Sequence, residues 1–278
     1  MKKTKLQRSL KIVLYIILIA YAGATVYPFV WAIAASFKPL QEIVSGEMSI
    51  LTKNFSLNNY NYIFSRSSLF GQWFINSVIV SVIGTTINVF LNTMAGYSLA
   101  RLNFPGRDRI YYGFLALMMV PAQVLLIPNY LILMNLNMLD SFSALILPAA
   151  INIGNIFMMR QFFLSFPKDV EEAASIDGLG RFQTFFRIVM PLAKPSIATQ
   201  AVFVFMGFWN EFMKPMLYIK TPSRYTLTLG LQTFQSQNGG VRWDHTMAAS
   251  VITIIPIIIL YFIFNKYFLQ GIRMDGEK

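Results

Sequence analysis

Glu172-Ala173-Ala174-Ser175-Ile176-Asp177-Gly178, followed after nine residues by Ile188-Val189-Met190-Pro191, is a hydrophilic stretch set between two apolar runs. Pro167 suits a helix start, because its fixed φ fits the first helical position. Asp169, Glu171 and Glu172 crowd the first turns, where the helix dipole favours negative charge. Val170, Ala173, Ala174 and Asp177 share one face, and the two alanines would let another surface come close. Gly178 and Gly180 flank a break, glycine being favoured where a helix ends in a left-handed conformation. A second helix is expected beyond it. Phe182, Phe185, Phe186 and Val189 stand at i, i+3, i+4 and i+7, one apolar stripe with Arg181 and Arg187 off it. Pro191 and Pro195 then turn the chain into the next apolar run. On these residues alone two readings stand. The segment is an amphipathic hairpin that joins two membrane spans, or it is a device on which a soluble partner pushes.

The surroundings of this hairpin are lipid-like. Of 278 residues, 55% are hydrophobic and only 13% charged, against roughly 25% charged in soluble domains. A bilayer core of about 30 Å needs roughly 20 apolar residues per helix. Six segments qualify, near 12–37, 71–99, 110–134, 142–164, 196–218 and 246–268. We therefore expect an all-α integral membrane protein with six transmembrane helices. Pro28, Pro121, Pro128, Pro148, Pro215 and Pro256 lie in these segments, as packing kinks or as gating hinges. The first run follows Lys2, Lys3, Lys5, Arg8 and Lys11 as in a signal peptide. It is too long for one and lacks a small-residue cleavage site, so it reads as an uncleaved helix.

Orientation follows the Lys and Arg content of the loops. With the N-terminus inside, Lys38, Lys53, Arg66, Lys214, Lys220, Arg224 and Arg242 fall outside, and the other 16 of the 23 basic residues fall inside. Both termini and the hairpin are then cytoplasmic. Two long outer loops remain. Residues 38–70 carry Asn54, Asn58, Asn59, Tyr60 and Asn61 and have room for one or two short helices; residues 219–245 carry Gln232, Gln235, Gln237 and Asn238. Either is open to a soluble partner.

Several function classes are excluded. The net charge of +11 sits at the ends of apolar runs and forms no stripe, which argues against nucleic acid. There is no cysteine and a single histidine, His245, so neither a metal site nor catalytic residues are expected. No Gly-x-x-x-x-Gly-Lys-Ser/Thr loop exists to cradle phosphates, so the chain should not hydrolyse ATP.

Polar side chains inside spans face protein or water. Ser77, Ser81, Thr85, Asn88, Asn92 and Ala95 lie on one face of the second span; Pro148, Asn152, Asn155 and Met159 do the same in the fourth. Gln123 and Asn129 lie in the third, and Gln200, Asn210 and Glu211 in the fifth. These amides either bond helix to helix or line a path for a neutral, polyhydroxylated ligand such as a sugar. Glu211 is the one carboxylate within a span. With Lys214 at i+3 it reads as an ion pair at the outer interface rather than a coupling-ion site. The bundle thus lacks an energy source of its own.

The hairpin resembles the signature of ABC importer permeases: Glu-Ala-Ala, three residues, Gly, nine residues, Ile, one residue, Leu-Pro. Here Glu172-Ala173-Ala174, Gly178, Ile188 and Met190-Pro191 fit every spacing, with Met in place of Leu. Asn76-Ser77, Ala95-Gly96-Tyr97-Ser98-Leu99-Ala100-Arg101, Phe104-Pro105-Gly106-Arg107, Trp209-Asn210-Glu211-Phe212, Met247-Ala248-Ala249-Ser250 and Tyr267-Phe268-Leu269-Gln270-Gly271 extend the likeness. Together they resemble the MalG-type permease subunit of carbohydrate (di- and oligosaccharide) importers.

The resemblance implies a type I importer permease (MetI-like) fold. Its permease core would span 71–268, with a coupling loop at 165–195. It would follow an N-terminal segment with the first helix and outer loop (1–70) and precede a cytoplasmic tail (269–278). It implies a heterodimer with a MalF-like permease, a cytoplasmic ATPase dimer that binds ATP and Mg, and an extracytoplasmic sugar-binding protein. The permease itself would bind no cofactor and would sit in the plasma membrane of a bacterium. Glu172, Ala173, Ala174, Asp177, Gly178, Ile188 and Pro191 would couple to the ATPase. Asn88, Asn92, Gln123, Asn152, Asn155 and Asn210 are the pathway candidates. The family's tail reaches into the ATPase dimer, but here it is more charged than the common ending. Competing readings are an ABC permease for glycerol-3-phosphate or a polyol, and an ion-coupled secondary carrier.

Overall fold

The apolar runs form helices, and among the described residues no strand occurs. A computed structural model describes residues 5–46, 49–65, 69–235 and 240–274. Gln237, Asn238, Arg66 and the tail from Asp275 to Lys278 lie outside the described residues, as do the first four residues. The helices are α1 (Lys5–Ala35), α2 (Leu40–Val44), α3 (Asn58–Ile63), α4 (Phe70–Arg101), α5 (Arg107–Met118), α6 (Leu126–Asn135), α7 (Phe142–Ile146), α8 (Ile153–Ser165), α9 (Asp169–Ile176), α10 (Arg181–Thr184), α11 (Met190–Leu192), α12 (Lys194–Asn210), α13 (Met213–Tyr218), α14 (Leu227–Gln235) and α15 (Trp243–Met274).

Three spans are single helices: Leu10–Ala35, Phe70–Arg101 and Trp243–Asn265. Among the described residues three bent pairs are long and apolar enough only when taken together, the third joining the second helix of the hairpin to the fifth span. Arg107–Met118 and Ala122–Asn135 meet at 95°, Phe142–Ala149 and Ile153–Ser165 at 42°, and Arg181–Leu192 and Lys194–Asn210 at 78°. The sequence reading expected kinks in the third and fourth spans. The structure breaks them outright, because Pro121 is extended (ψ 132°) and opens a short 3-10 turn, while Asn152 is extended (ψ 117°) and caps a new helix. The fifth span was expected to run to residue 218. It stops at Asn210, where Glu211 turns extended (ψ 125°) and its Oε1 accepts the Met213 and Lys214 amides at the start of α13.

The chain divides into two compact units, residues 1–71 with 231–254, and residues 72–230 with 255–278. In the first, the loop after α1 is fastened by polar contacts. Asn59 is buried and donates to the Ser36 and Lys38 carbonyls, each at 2.9 Å. Lys38, also buried, pairs with Glu42 at 3.4 Å and donates to the Ser49 carbonyl at 2.7 Å. This loop holds α2 and α3, the short helices the sequence left room for. Tyr62 stacks on His245 with centroids 3.9 Å apart, and Arg242 pairs with Asp244 at 2.8 Å.

In the second unit, α4 is the axis. Its 32 residues span about 48 Å at 1.5 Å each, more than the bilayer core requires. Gly96 is where α8 crosses it closely: a Cβ there would lie 2.7 Å from Met159 Cβ and 2.9 Å from the Arg160 backbone nitrogen. One apolar cluster (Val80, Leu133, Leu145, Ile146, Tyr218) packs toward one end of α4, and another (Tyr97, Met159, Phe163, Phe185, Val189) toward the other. Beside the first cluster, Asp140 fastens two loops. Its carboxylate accepts the Lys220 and Thr221 amides at 3.0 Å and the Thr221 hydroxyl at 2.6 Å, and pairs with Arg224 at 3.1 Å. The Thr221 hydroxyl, then its amide, hold the Asp140 carboxyl at about 2, well below the usual carboxylate range.

Candidate functional site: the loop hairpin and a polar cavity

The acidic first turn and terminal glycine of α9 fold as their chemistry requires. Gly178 has φ +79°. Its amide reaches the Ser175 carbonyl at 3.1 Å, and the Leu179 amide reaches the Ala174 carbonyl at 3.0 Å. This is the paired closure of a helix C-terminus that a left-handed glycine permits.

α9 presents two faces. Glu172, Ala173 and Asp177 are exposed, whereas Ala174 is buried. Asp169, Val170, Ala173, Ala174, Asp177 and Ile188 line one shallow groove of about 460 Å³. Five of the seven coupling candidates therefore occur together on or beside this face: Ala173, Ala174, Asp177 and Ile188 in the groove, and Gly178 at its end. Glu172 and Pro191 are exposed but do not line the groove. Ile176 is 86% exposed.

The second helix departs from its expected stripe. α10 passes into a π-turn, Phe185–Val189, before α11. The wider π-turn shifts the register. Phe185 and Val189 are buried, while Phe182 and Phe186 stay exposed, so two of the four expected residues form the buried face.

Beside the groove face of α9, at Glu171, lies a contact that sequence reasoning missed. Glu171 pairs with Arg101 at 3.0 Å, and the Tyr97 hydroxyl donates to its second oxygen at 3.2 Å. Arg101 also donates to the Phe166 carbonyl. Tyr97 and Arg101, one turn apart on the last turns of α4, were the available signal.

A separate cavity of about 250 Å³ lies along α4, α8 and α12. Asn88, Asn152 and Asn155 supply its amides, and Phe203, Val204 and Phe208 an apolar wall. The amides are ordered by one another. Asn155 Nδ2 donates to Asn88 Oδ1 at 3.0 Å, Asn88 Nδ2 to the Ala149 carbonyl at 2.6 Å, and the Asn155 amide to Asn152 Oδ1 at 3.0 Å.

The other pathway candidates stand apart from the cavity. Asn92 is fully buried, with Nδ2 on the Asn88 and Ala150 carbonyls and Oδ1 accepting the Asn152 amide, so it bonds helix to helix. Gln123 lies exposed in the 3-10 turn before α6. Asn210 is exposed and donates back to the Met206 carbonyl. Conversely Glu211 and Lys214, read from sequence as an interfacial pair, line the cavity while paired at 3.4 Å.

Among the described residues no group of three or more His, Cys, Asp or Glu could hold a metal ion.

The architecture recurs in a solved structure of a bacterial ABC transporter involved in the import of the acidic polysaccharide alginate. One chain there aligns with a TM-score of 0.86 at 24% identity, covering 96% of this chain and 99% of that one. Sequence relatives include the arabinooligosaccharides transport system permease protein AraQ of Halalkalibacterium halodurans, 33% identical over 92% of each chain. A polygalacturonan/rhamnogalacturonan transport system permease protein, YtcP of Bacillus subtilis, is 32% identical over 98% of this chain and 99% of its own. The diacetylchitobiose uptake system permease protein NgcG of Streptomyces coelicolor is 34% identical over 90% and 83%. Residues 92–274, which contain α9, the π-turn and all of the cavity lining except Val80 and Asn88, match the binding-protein-dependent transport system inner membrane component family. The chain belongs to that family, and is a membrane-embedded permease subunit of an ABC importer.

Proposed function

We propose that this permease, paired with a second permease of related fold, forms the membrane path for a di- or oligosaccharide handed over by an extracytoplasmic binding protein. The carrying observation is the chemistry of the cavity. Three ordered amides face an apolar wall with two phenylalanines, and the one cation on the lining, Lys214, is already paired with Glu211. Amides exchange hydrogen bonds with hydroxyls, the aromatic rings offer faces to sugar C–H groups, and a phosphate would find no free cation. This favours a neutral saccharide over glycerol-3-phosphate. The printed names of AraQ and NgcG, systems for neutral saccharides, point the same way, whereas that of YtcP names an acidic saccharide.

In this reading both termini and α9 face the cytoplasm of a bacterial cell. Glu172, Ala173, Ala174, Asp177, Gly178, Ile188 and Pro191 form or shape the surface that meets an ATPase dimer, where ATP and Mg are bound. The exposed groove of α9 supports this assignment, as does membership of a family described as one component of a binding-protein-dependent transport system.

The test is ATPase stimulation in the importer reconstituted with its binding protein. Arabino-oligosaccharides, diacetylchitobiose, oligogalacturonides and glycerol-3-phosphate would be added singly. Stimulation by a neutral oligosaccharide that falls in Asn155→Leu supports the reading. Stimulation by glycerol-3-phosphate alone would overturn it.

A further inference from the structure

We propose that Arg101, Glu171 and Tyr97 act as positioning residues: a latch that carries displacement of α9 into α4, and through α4 to the cavity. This rests on the ATPase-coupled reading above.

The neighbouring acids of α9 are about 100° apart around the helix, and they have separate surroundings. Glu172 is exposed on the side open to a partner. Glu171 turns inward, its side chain 20% exposed, against an Arg101 side chain that is 5% exposed. Arg101 Nε lies 3.0 Å from Glu171 Oε1 as an ion pair without a directed hydrogen bond between those two atoms, while the Tyr97 hydroxyl on Glu171 and the Arg101 donation to the Phe166 carbonyl fix the two ends. The ring of Tyr97 is wedged between Phe163, edge-on at 5.4 Å, and Phe185 at 4.9 Å. The latch therefore gathers α4, the end of α8, α9 and the π-turn at one point.

α4 is suited to transmit what the latch receives. Of the three continuous spans, α1 contains Pro28 and α15 contains Pro256, while α4 has no proline. The remaining spans are broken by bends of 42° to 95°. Asn88, the cavity amide of α4, is 13 residues from Arg101, about 20 Å along an unbroken helix. Gly96, between them, holds α8 in close contact. Movement of Glu171 thus displaces α4 rather than being absorbed in a hinge.

The natural chain has no cysteine, so one introduced cysteine reports without background. The importer complex, purified with its ATPase, would carry Phe203→Cys, an exposed residue on the cavity wall. Alkylation by a water-soluble maleimide is timed without nucleotide and with ATP plus vanadate. With the latch intact, nucleotide changes the rate by about fivefold or more, the scale of ordinary allosteric coupling. In Glu171→Gln the ATPase still co-purifies and hydrolyses ATP, but the rate no longer responds. The conservative variant Glu171→Asp, which keeps the carboxylate, retains the response in part. If Glu171→Gln fails to assemble, Tyr97→Phe, which removes one oxygen atom, carries the test and should weaken the response. A response that persists undiminished in Glu171→Gln or Tyr97→Phe overturns the latch. So does a loss in Glu171→Asp as complete as that in Glu171→Gln, since the carboxylate would then carry nothing. Absence of any nucleotide response in the parent complex instead removes the ATPase-coupled reading beneath it.

Discussion

Gly178 and Gly180 provide a matched pair for testing how the α9 hairpin is shaped. Neither has any atom within 4 Å of the place a Cβ would occupy, so neither substitution creates a clash. They differ in backbone: Gly178 has φ +79° and Gly180 φ −70°. An L-residue in the left-handed region costs about 1–2 kcal/mol, so Gly178→Ala should weaken the closing bonds of α9 by that amount while Gly180→Ala changes little. The weakened bonds are the Gly178 amide on Ser175 and the Leu179 amide on Ala174. A cost of 1–2 kcal/mol raises the population of the frayed end roughly 5- to 30-fold. Hydrogen exchange by mass spectrometry across residues 174–180, in the assembled importer, should show faster exchange by that factor in Gly178→Ala only. Gly178→Asn should fall between, because asparagine tolerates the left-handed region better than alanine. Equal exchange in Gly178→Ala and Gly180→Ala would refute the argument that backbone conformation fixes this turn.

Three further outcomes follow from the same geometry. Gly96→Ala would place a methyl 2.7 Å from Met159 Cβ and against the α8 backbone, which should cost about 1–3 kcal/mol and lower the melting temperature in detergent. Asn152→Ala should cost about 1 kcal/mol through loss of the α8 cap, read in the same melt. Asp140→Asn should destabilise the protein at pH 7 by about 1–2 kcal/mol, after allowance for its partial exposure. Its pKa is depressed on folding, so that stability is present above the unfolded value near 3.8 and is lost as pH falls toward about 2. The melting difference between Asp140→Asn and the parent should therefore shrink across that window; a constant difference would contradict the assignment.

Much of the hairpin was legible in the residues. Gly178 announced the helix end, and the i, i+3, i+4, i+7 spacing of Val170, Ala173, Ala174 and Asp177 announced the face that lines the groove. The α4 amide row was legible as a row. Which amide borders open space was not, because both bond across to the chain around Asn152, Asn88 to Asn155 in α8 and Asn92 to the Asn152 amide, and only the break there sets them apart. That break, like the 95° bend near Pro121, is decided by packing, since a proline permits a kink without fixing its angle. The Glu171 contact was hidden for a related reason. Its partner Tyr97 is 74 residues away, and helical periodicity is silent about partners on other helices. Glu211 misled because a carboxylate near a helix end has two uses, and only the structure shows it capping α13 on the cavity wall.

The central claim is that this chain is driven through α9 by an ATPase on another polypeptide. Its most direct test is recovery of the tagged chain from gently solubilised native membranes, beside the variant Glu172→Lys, with the co-purifying proteins identified by mass spectrometry. A second permease should come with both, and a nucleotide-binding subunit with the parent but strongly depleted from Glu172→Lys. Recovery of the parent chain alone, or equal recovery of the ATPase with both, would contradict it.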